Sequence, residues 1–272
     1  MASLPGSRRP DARGRARERR LLWIGIVSVL AAILAYELLQ WPGLRVQRVE
    51  VTGLRQLTAE EVVREAGLRY QLPIWQVRPG EMVARLERDP RVEGANVQLL
   101  WPDGLRIAVV ERQPVAAVAA QDGSSWWVDR YGVPFLKRPD HPGLPLIRLG
   151  RPAAVRPGRP LGPAAARPVA LAALLAGARP PLTAVDVHAD GSLTLWLQPA
   201  ARPGAAPARR IPVWVGPEPA AREVAEELLG VLAEGAKRGL EPLYVDLRAP
   251  GRPAVAWPPR EPPGSSGASG GG

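Results

Sequence analysis

The feature that most constrains this chain is an apolar run with no polar face. Leu21-Leu-Trp-Ile-Gly-Ile-Val-Ser-Val-Leu-Ala-Ala-Ile-Leu-Ala-Tyr36 continues through Glu37-Leu-Leu-Gln40 to Trp41. As a helix, residues 21–41 measure about 30 Å, the thickness of a bilayer core. A surface helix of a soluble protein would show a polar face, with polar residues every third or fourth position, and this run shows no such face. Trp23 and Trp41 bracket it at interfacial depth, Glu37 lies within reach of the headgroups, and Pro42 ends it. A cleaved signal peptide is the competing reading. It needs a small-residue cleavage site, and Ala31-Ala-Ile-Leu-Ala-Tyr36 offers only a version flanked by bulky residues. The expectation is one retained membrane anchor over 21–41.

The charge of the chain takes its meaning from that anchor. There are 36 basic and 26 acidic residues, a formal +10. Residues 1–20 hold seven arginines against Asp11 and Glu18, so half of the excess sits in one tail. Positive residues stay on the cytoplasmic side, which predicts a cytoplasmic tail over 1–20 and an extracytoplasmic bulk from residue 43 onward. The remainder has 29 basic and 24 acidic residues, too balanced for a nucleic-acid partner.

Composition also limits the chemistry. The chain has no cysteine, which excludes thiol catalysis, disulfides and thiolate metal sites. Its two histidines, His141 and His188, lie too far apart for a helical zinc motif. No nucleophile elbow, phosphate-binding loop or dinucleotide fingerprint occurs. Asp186 and Asp190 flank a hairpin and read as turn residues. The expectation is no catalytic residue, no metal site, no cofactor and no enzyme activity.

After the anchor, Val46-Gln-Arg-Val-Glu-Val-Thr-Gly53 alternates as a strand. Thr58 and Glu61 form a capping box that starts a helix carrying Val62, Val63 and Ala66, with Gly67 as its stop. A second helix runs from Pro79 toward Asp89 with Met82, Val83 and Leu86 at helical spacing, and Pro90 ends it. Val92–Trp101 and Leu105–Arg112 then read as a hairpin around Asp103-Gly104. The order is β-α-α-β-β.

This order, with Val46-x-x-Val-x-Val-x-Gly53, Asp89-Pro-Arg-Val92, Ala95-x-Val97 and Trp101-Pro102-x-x-Leu105-x-Ile107-x-Val109-x-Glu111-Arg-x-Pro114, resembles the POTRA domain of the FtsQ/DivIB family of bacterial cell-division proteins. The dense part of the resemblance covers residues 44–116. It implies a POTRA domain over 44–113. Glu111 and Arg112 read as a strand-end ion pair or junction contact. POTRA domains also serve envelope transport and barrel assembly. That alternative function would need a barrel, and no serial amphipathic strands follow here.

A second domain is expected over 114–257. Strands are read at 114–120, 126–129 and 133–135, turning at Asp122-Gly123 and Tyr131-Gly132. Adjacent strand residues face opposite sides, so Trp126 and Trp127 form no shared platform. A Pro/Arg/Gly-rich excursion is expected near 137–168, with one strand at 144–149. A short helix at 171–176 follows, then a hairpin of 182–188 with 192–197, in which His188 reads as solvated. A strand at 211–216 leads to a helix from Pro219 to Lys237 with Val224, Leu228, Leu229 and Leu232 on one stripe. A closing hairpin pairs 243–248 with 254–257, and 258–272 carries no core-forming pattern and is expected to be disordered. The fold class is α+β: an anchor helix, a POTRA domain, and a mixed α/β domain on an antiparallel-rich sheet.

The resemblance implies a divisome scaffold in the cell membrane, found at the septum. Its partners would be FtsB/DivIC-like and FtsL-like coiled-coil proteins and other division proteins, besides the lipid bilayer through 21–41. In the family the partner docks by adding a strand to the final sheet edge. Carried onto this sequence, the candidate docking residues are Arg248, Ala249, Gly251, Arg252, Ala254, Val255 and Trp257. Ala249 stands where family members often have an aromatic, and Pro253 lacks an amide donor beside that edge.

Overall fold

The computed structural model describes residues 12–40, 42–151, 154–199 and 209–259. The first eleven residues of the basic tail, Trp41, residues 152–153 of the excursion and residues 260–272 lie outside the described residues, with the readings placed on them. Helix α1 (Ala12–Gln40) contains the apolar run and extends into the arginine-rich tail. It is the only helix among the described residues long and apolar enough to cross a membrane. None of its Arg20–Glu37 stretch is buried against protein.

The chain divides into two compact units. One comprises Met1–Leu86 with Ala95–Val109, and the other Glu87–Gly94 with Val110–Gly272. In the first unit, β1 (Arg48–Thr52) leads to α2 (Ala59–Glu65), α3 (Pro79–Leu86), β2 (Val92–Leu100) and β3 (Gly104–Glu111). The sheet order is β1-β3-β2, with β1 parallel to β3 and Val49 opposite Leu105. The capping box is present: Thr58 Oγ1 accepts from the Glu61 amide at 3.2 Å, and Glu61 accepts from the Thr58 amide at 2.9 Å. Central β3 buries Leu105, Ile107 and Val109, and Val62, Ala66, Ile74, Met82 and Leu86 of the same unit are buried as well. Each such aliphatic side chain contributes roughly 1.5–3 kcal/mol on burial.

The β2–β3 connection differs from the expected two-residue turn. Gly104 opens β3, and the chain reverses over Trp101-Pro102-Asp103, with a cis peptide before Pro102. Gly104 serves close strand approach, since a Cβ there would lie 2.9 Å from the Leu100 carbonyl oxygen. The Asp103 carbonyl accepts from the Gln47 and Arg48 amides at 2.9 and 3.2 Å, tying the turn to β1.

The second unit holds a nine-stranded sheet of β4 (Ala116–Ala119), β5 (Ser125–Val128), β6 (Pro134–Lys137), β7 (Leu146–Arg148), β8 (Leu182–Val187), β9 (Leu193–Leu197), β10 (Ile211–Val215), β11 (Tyr244–Leu247) and β12 (Ala254–Ala256). Their order across the sheet is β12-β11-β10-β9-β8-β7-β4-β5-β6. Most pairs are antiparallel. β7 is parallel to both neighbours, and β10 is parallel to β11. Helices α4 (Pro163–Leu174) and α5 (Ala221–Arg238) bury Val169, Leu171, Ala172, Val224 and Leu228 against Val118, Ile147, Val185, Leu195, Val213 and Val245.

Two local expectations are corrected. The helix read from Leu171 begins at Pro163, inside the expected excursion, because Pro163 occupies a first-turn position where its missing amide costs nothing. Its second proline, Pro168, is buried in the helix interior, so the polar-looking segment is core-forming. Leu229 of α5 is 40% exposed, since the residue after inward-facing Leu228 is rotated about 100° away; Ala225 and Gly235 take the stripe instead. His188 is exposed, as expected, and its Nε2 lies 2.9 Å from Thr194 Oγ1. Trp127 is buried with Phe135, while Trp126 lies under the Lys137 ammonium, so the two rings point apart as expected.

Candidate functional site

The sheet of the second unit ends at β12, three residues long, and among the described residues no strand pairs with its outer side. Its inner side pairs antiparallel with β11: Tyr244 faces Ala256, Val245 faces Val255, and Asp246 faces Ala254. The connection Ala249-Pro250-Gly251-Arg252 is a β-turn closed by the Arg252 amide on the Ala249 carbonyl at 3.2 Å. Pro250 supplies the fixed φ of the second turn residue, and Gly251 supplies φ +69 at the third, where an L side chain would be strained. This rigid turn holds β12 in register at the sheet margin.

The alternation of β12 splits its side chains between two faces. Val255 packs toward the helix-covered core, while Ala254 is exposed on the opposite face. On the open face, Trp214 of β10 and Tyr244 of β11 stack with centroids 5.2 Å apart. The Arg248 guanidinium lies 5.8 Å from the Trp214 ring and clasps Asp246, with Nε at 2.9 Å from Oδ1. Hydrogen bonding from Arg248 holds the Asp246 carboxyl below its ordinary value, and Asp246 raises the Arg248 guanidinium. Trp257 lies on the helix side, half-buried, with Arg238 5.8 Å from its ring and α5 Gly235 directly beneath it.

The seven expected docking residues therefore fall into three sets. Ala254 and Val255 are on the edge strand; Ala249, Gly251 and Arg252 build the turn; Arg248 and Trp257 are engaged with Asp246 and Gly235 within the fold. Sequence reasoning missed Trp214 and Tyr244. The alternation of Tyr244 and Asp246 with buried Val245 and Leu247 was the available signal.

Within the second unit, Arg112 carries a buried ion pair, but its partner is Asp129 rather than Glu111. The Arg112–Asp129 contact is 2.5 Å with side chains 16% and 2% exposed, and Arg112 Nε donates to the Pro90 carbonyl at 3.1 Å. Asp129 Oδ1 accepts from the Tyr131 and Val133 amides, both at 2.9 Å, so the same carboxylate shapes the β5–β6 turn. These charges are fully engaged in structure. No group of three His, Asp or Glu side chains able to hold a metal ion occurs among the described residues.

The β-α-α-β-β unit matches the family model described as the POTRA domain, FtsQ-type, over residues 44–112. Residues 44–112 belong to the FtsQ-type POTRA family. The resemblance drawn from the motifs is borne out, and it extends beyond this domain. The chain is 30% identical to the cell division protein FtsQ of Mycobacterium leprae over 201 residues, 72% of this chain and 59% of that protein. It is 38% identical to FtsQ of Chloroflexus aggregans over 130 residues, 48% of this chain and 46% of that protein. Against FtsQ of Chloroflexus aurantiacus, identity is 42% over 108 residues, 40% of this chain and 39% of that protein. The chain thus spans about half the length of the curated FtsQ relatives it matches.

Proposed function

We propose that this chain is a non-enzymatic, single-pass membrane scaffold of the bacterial division machinery. Its 1–20 tail is cytoplasmic and 21–41 anchors it; the POTRA domain over 44–113 and the β-rich domain over 114–257 lie outside the membrane at the septum. The scaffold links septal peptidoglycan synthesis to FtsB/DivIC-like and FtsL-like coiled-coil partners. Support comes from the single apolar helix, the FtsQ-type POTRA domain and the FtsQ similarity.

The observation that carries the docking assignment is the unpaired outer side of β12. An exposed edge presents backbone donors and acceptors that a partner strand can pair with, while alternate side chains set specificity. An added strand would place one set of side chains on the face of Ala254 and the other on the face of Val255 and Trp257. The test is co-purification of an FtsB/DivIC-like partner by the full chain and by Ala254→Pro. Proline either removes an outward amide or breaks the β11–β12 pairing, and both destroy the edge. Loss of capture, with thermal unfolding otherwise retained, is expected; undiminished capture rejects the assignment.

A further inference from the structure

We infer that the anchor-proximal end of the POTRA domain is itself a membrane-interface surface, with Tyr70 and Trp101 entering the lipid headgroup layer and Arg45 and Arg69 meeting lipid phosphates. The inference rests on α1 crossing a bilayer.

Chain length sets how far this end can stand from the membrane. Helix α1 ends at Gln40, and Pro42–Leu44 form a 3-10 turn. With about 2 Å per residue in that turn and about 3.5 Å elsewhere, Val46 lies no more than about 17 Å from the helix end. Two separate loops are bonded to this stretch. The Val46 amide donates to the Leu72 carbonyl at 3.0 Å, and the Gln71 amide donates to the Val46 carbonyl at 3.3 Å. Arg45 forms an antiparallel bridge with Pro73. The Gln47 and Arg48 amides both donate to Asp103. Tyr70 and Trp101 each precede their tethered residue by two positions, so both rings belong to the end where the chain leaves the anchor.

Their exposure is the second observation. Tyr70 is 65% and Trp101 61% exposed, so neither ring serves the core of its own domain. Amphipathic rings of this kind concentrate where lipid meets water. The charges at this end suit the same place. Arg45, Arg48 and Arg69 cluster around the tethered stretch, and the nearby acid, Asp103, is held by Arg48 at 2.5 Å. β1 then leads away toward Thr52, and the acids Glu60 and Glu61 begin α2 beyond that far end. A basic, aromatic end facing the anchor fits a phosphate-bearing lipid surface.

The test uses the full chain in nanodiscs of phosphatidylcholine and phosphatidylglycerol that include a phospholipid with a photoactivatable diazirine headgroup. After illumination, lipid adducts are mapped by mass spectrometry. Adducts are expected on 68–73 and 99–103 as well as on the flanks of α1, with 52–60 unmodified. In Tyr70→Ser/Trp101→Ser, with unchanged circular dichroism, the loop adducts should fall several-fold. Adducts confined to α1 overturn the inference while leaving the anchor reading intact. Absence of adducts on α1 removes the anchor reading and this inference with it.

Discussion

Gly235 of α5 has no side chain where the Trp257 ring lies: a Cβ there would stand 2.8 Å from Trp257 Cζ3 and 2.7 Å from the Leu240 carbonyl oxygen. The helix end is locked by the Leu240 amide on the Gly235 carbonyl and by left-handed Gly239, so the backbone oxygen cannot retreat. Alanine ordinarily stabilises a helix interior by about 1 kcal/mol over glycine. Here the clash should dominate, and Gly235→Ala should lose about 1–3 kcal/mol in denaturant unfolding. A gain in stability would show that Trp257 does not rest on this helix.

Side-chain variants at the docking edge should separate into two kinds. Trp257→Lys is expected to lower the melting temperature and partner capture together, because its ring is part of the fold. Ala254→Lys, at an exposed position on the edge strand, should lose capture alone, since a lysine on an edge opposes strand addition. Paired thermal melts and co-purification distinguish the two.

The buried Arg112–Asp129 pair yields a stability prediction. Removing one member of such a pair leaves an uncompensated charge at a cost of about 3–5 kcal/mol. Arg112→Ala should show a loss of this size in urea unfolding. Asp129→Ala should lose at least as much, because the Tyr131 and Val133 amides lose their acceptor as well.

Asp246 supplies a pH dependence. Its folded carboxyl lies below the ordinary 3.8 because Arg248 donates to it. The unfolded chain therefore binds a proton first as pH falls. The contribution to stability is complete above about pH 4 and is lost as pH falls through the folded value. In Arg248→Gln that acid-side loss should shrink, measured as unfolding midpoint against pH from 5 to about 2. An identical profile in the variant would mean the clasp contributes nothing.

The helix cap of the POTRA domain gives a smaller effect. Thr58→Ala should destabilise by about 1 kcal/mol, since the Glu61 amide loses its acceptor.

Much of the fold was legible because its signals are local. The anchor, the Thr58–Glu61 cap, the β2–β3 hairpin and the β8–β9 hairpin each depend on residues within a few positions of one another. The failures were also local in appearance. Pro163 and Pro168 made a core helix look like a loop, and Asp103-Gly104 looked like the turn when the glycine was needed against Leu100. The proposed docking edge was suggested only by family resemblance, since nothing in Ala254-Val-Ala256 itself says that one side of the strand lacks a neighbour.

By itself the sequence determined the elements and their faces: one run too apolar for water, strands that alternate, helices with one buried stripe. Those properties follow from hydrophobic periodicity and turn chemistry. Only the tertiary structure decided that β7 is inserted between β4 and β8, that Arg112 meets Asp129 rather than Glu111, that Trp257 lies on Gly235, and that Tyr70 and Trp101 share one end of their domain. The physical reason is distance along the chain. These contacts join segments up to dozens of residues apart, and their choice depends on which buried surfaces and backbone groups remain to be satisfied once the local elements have formed.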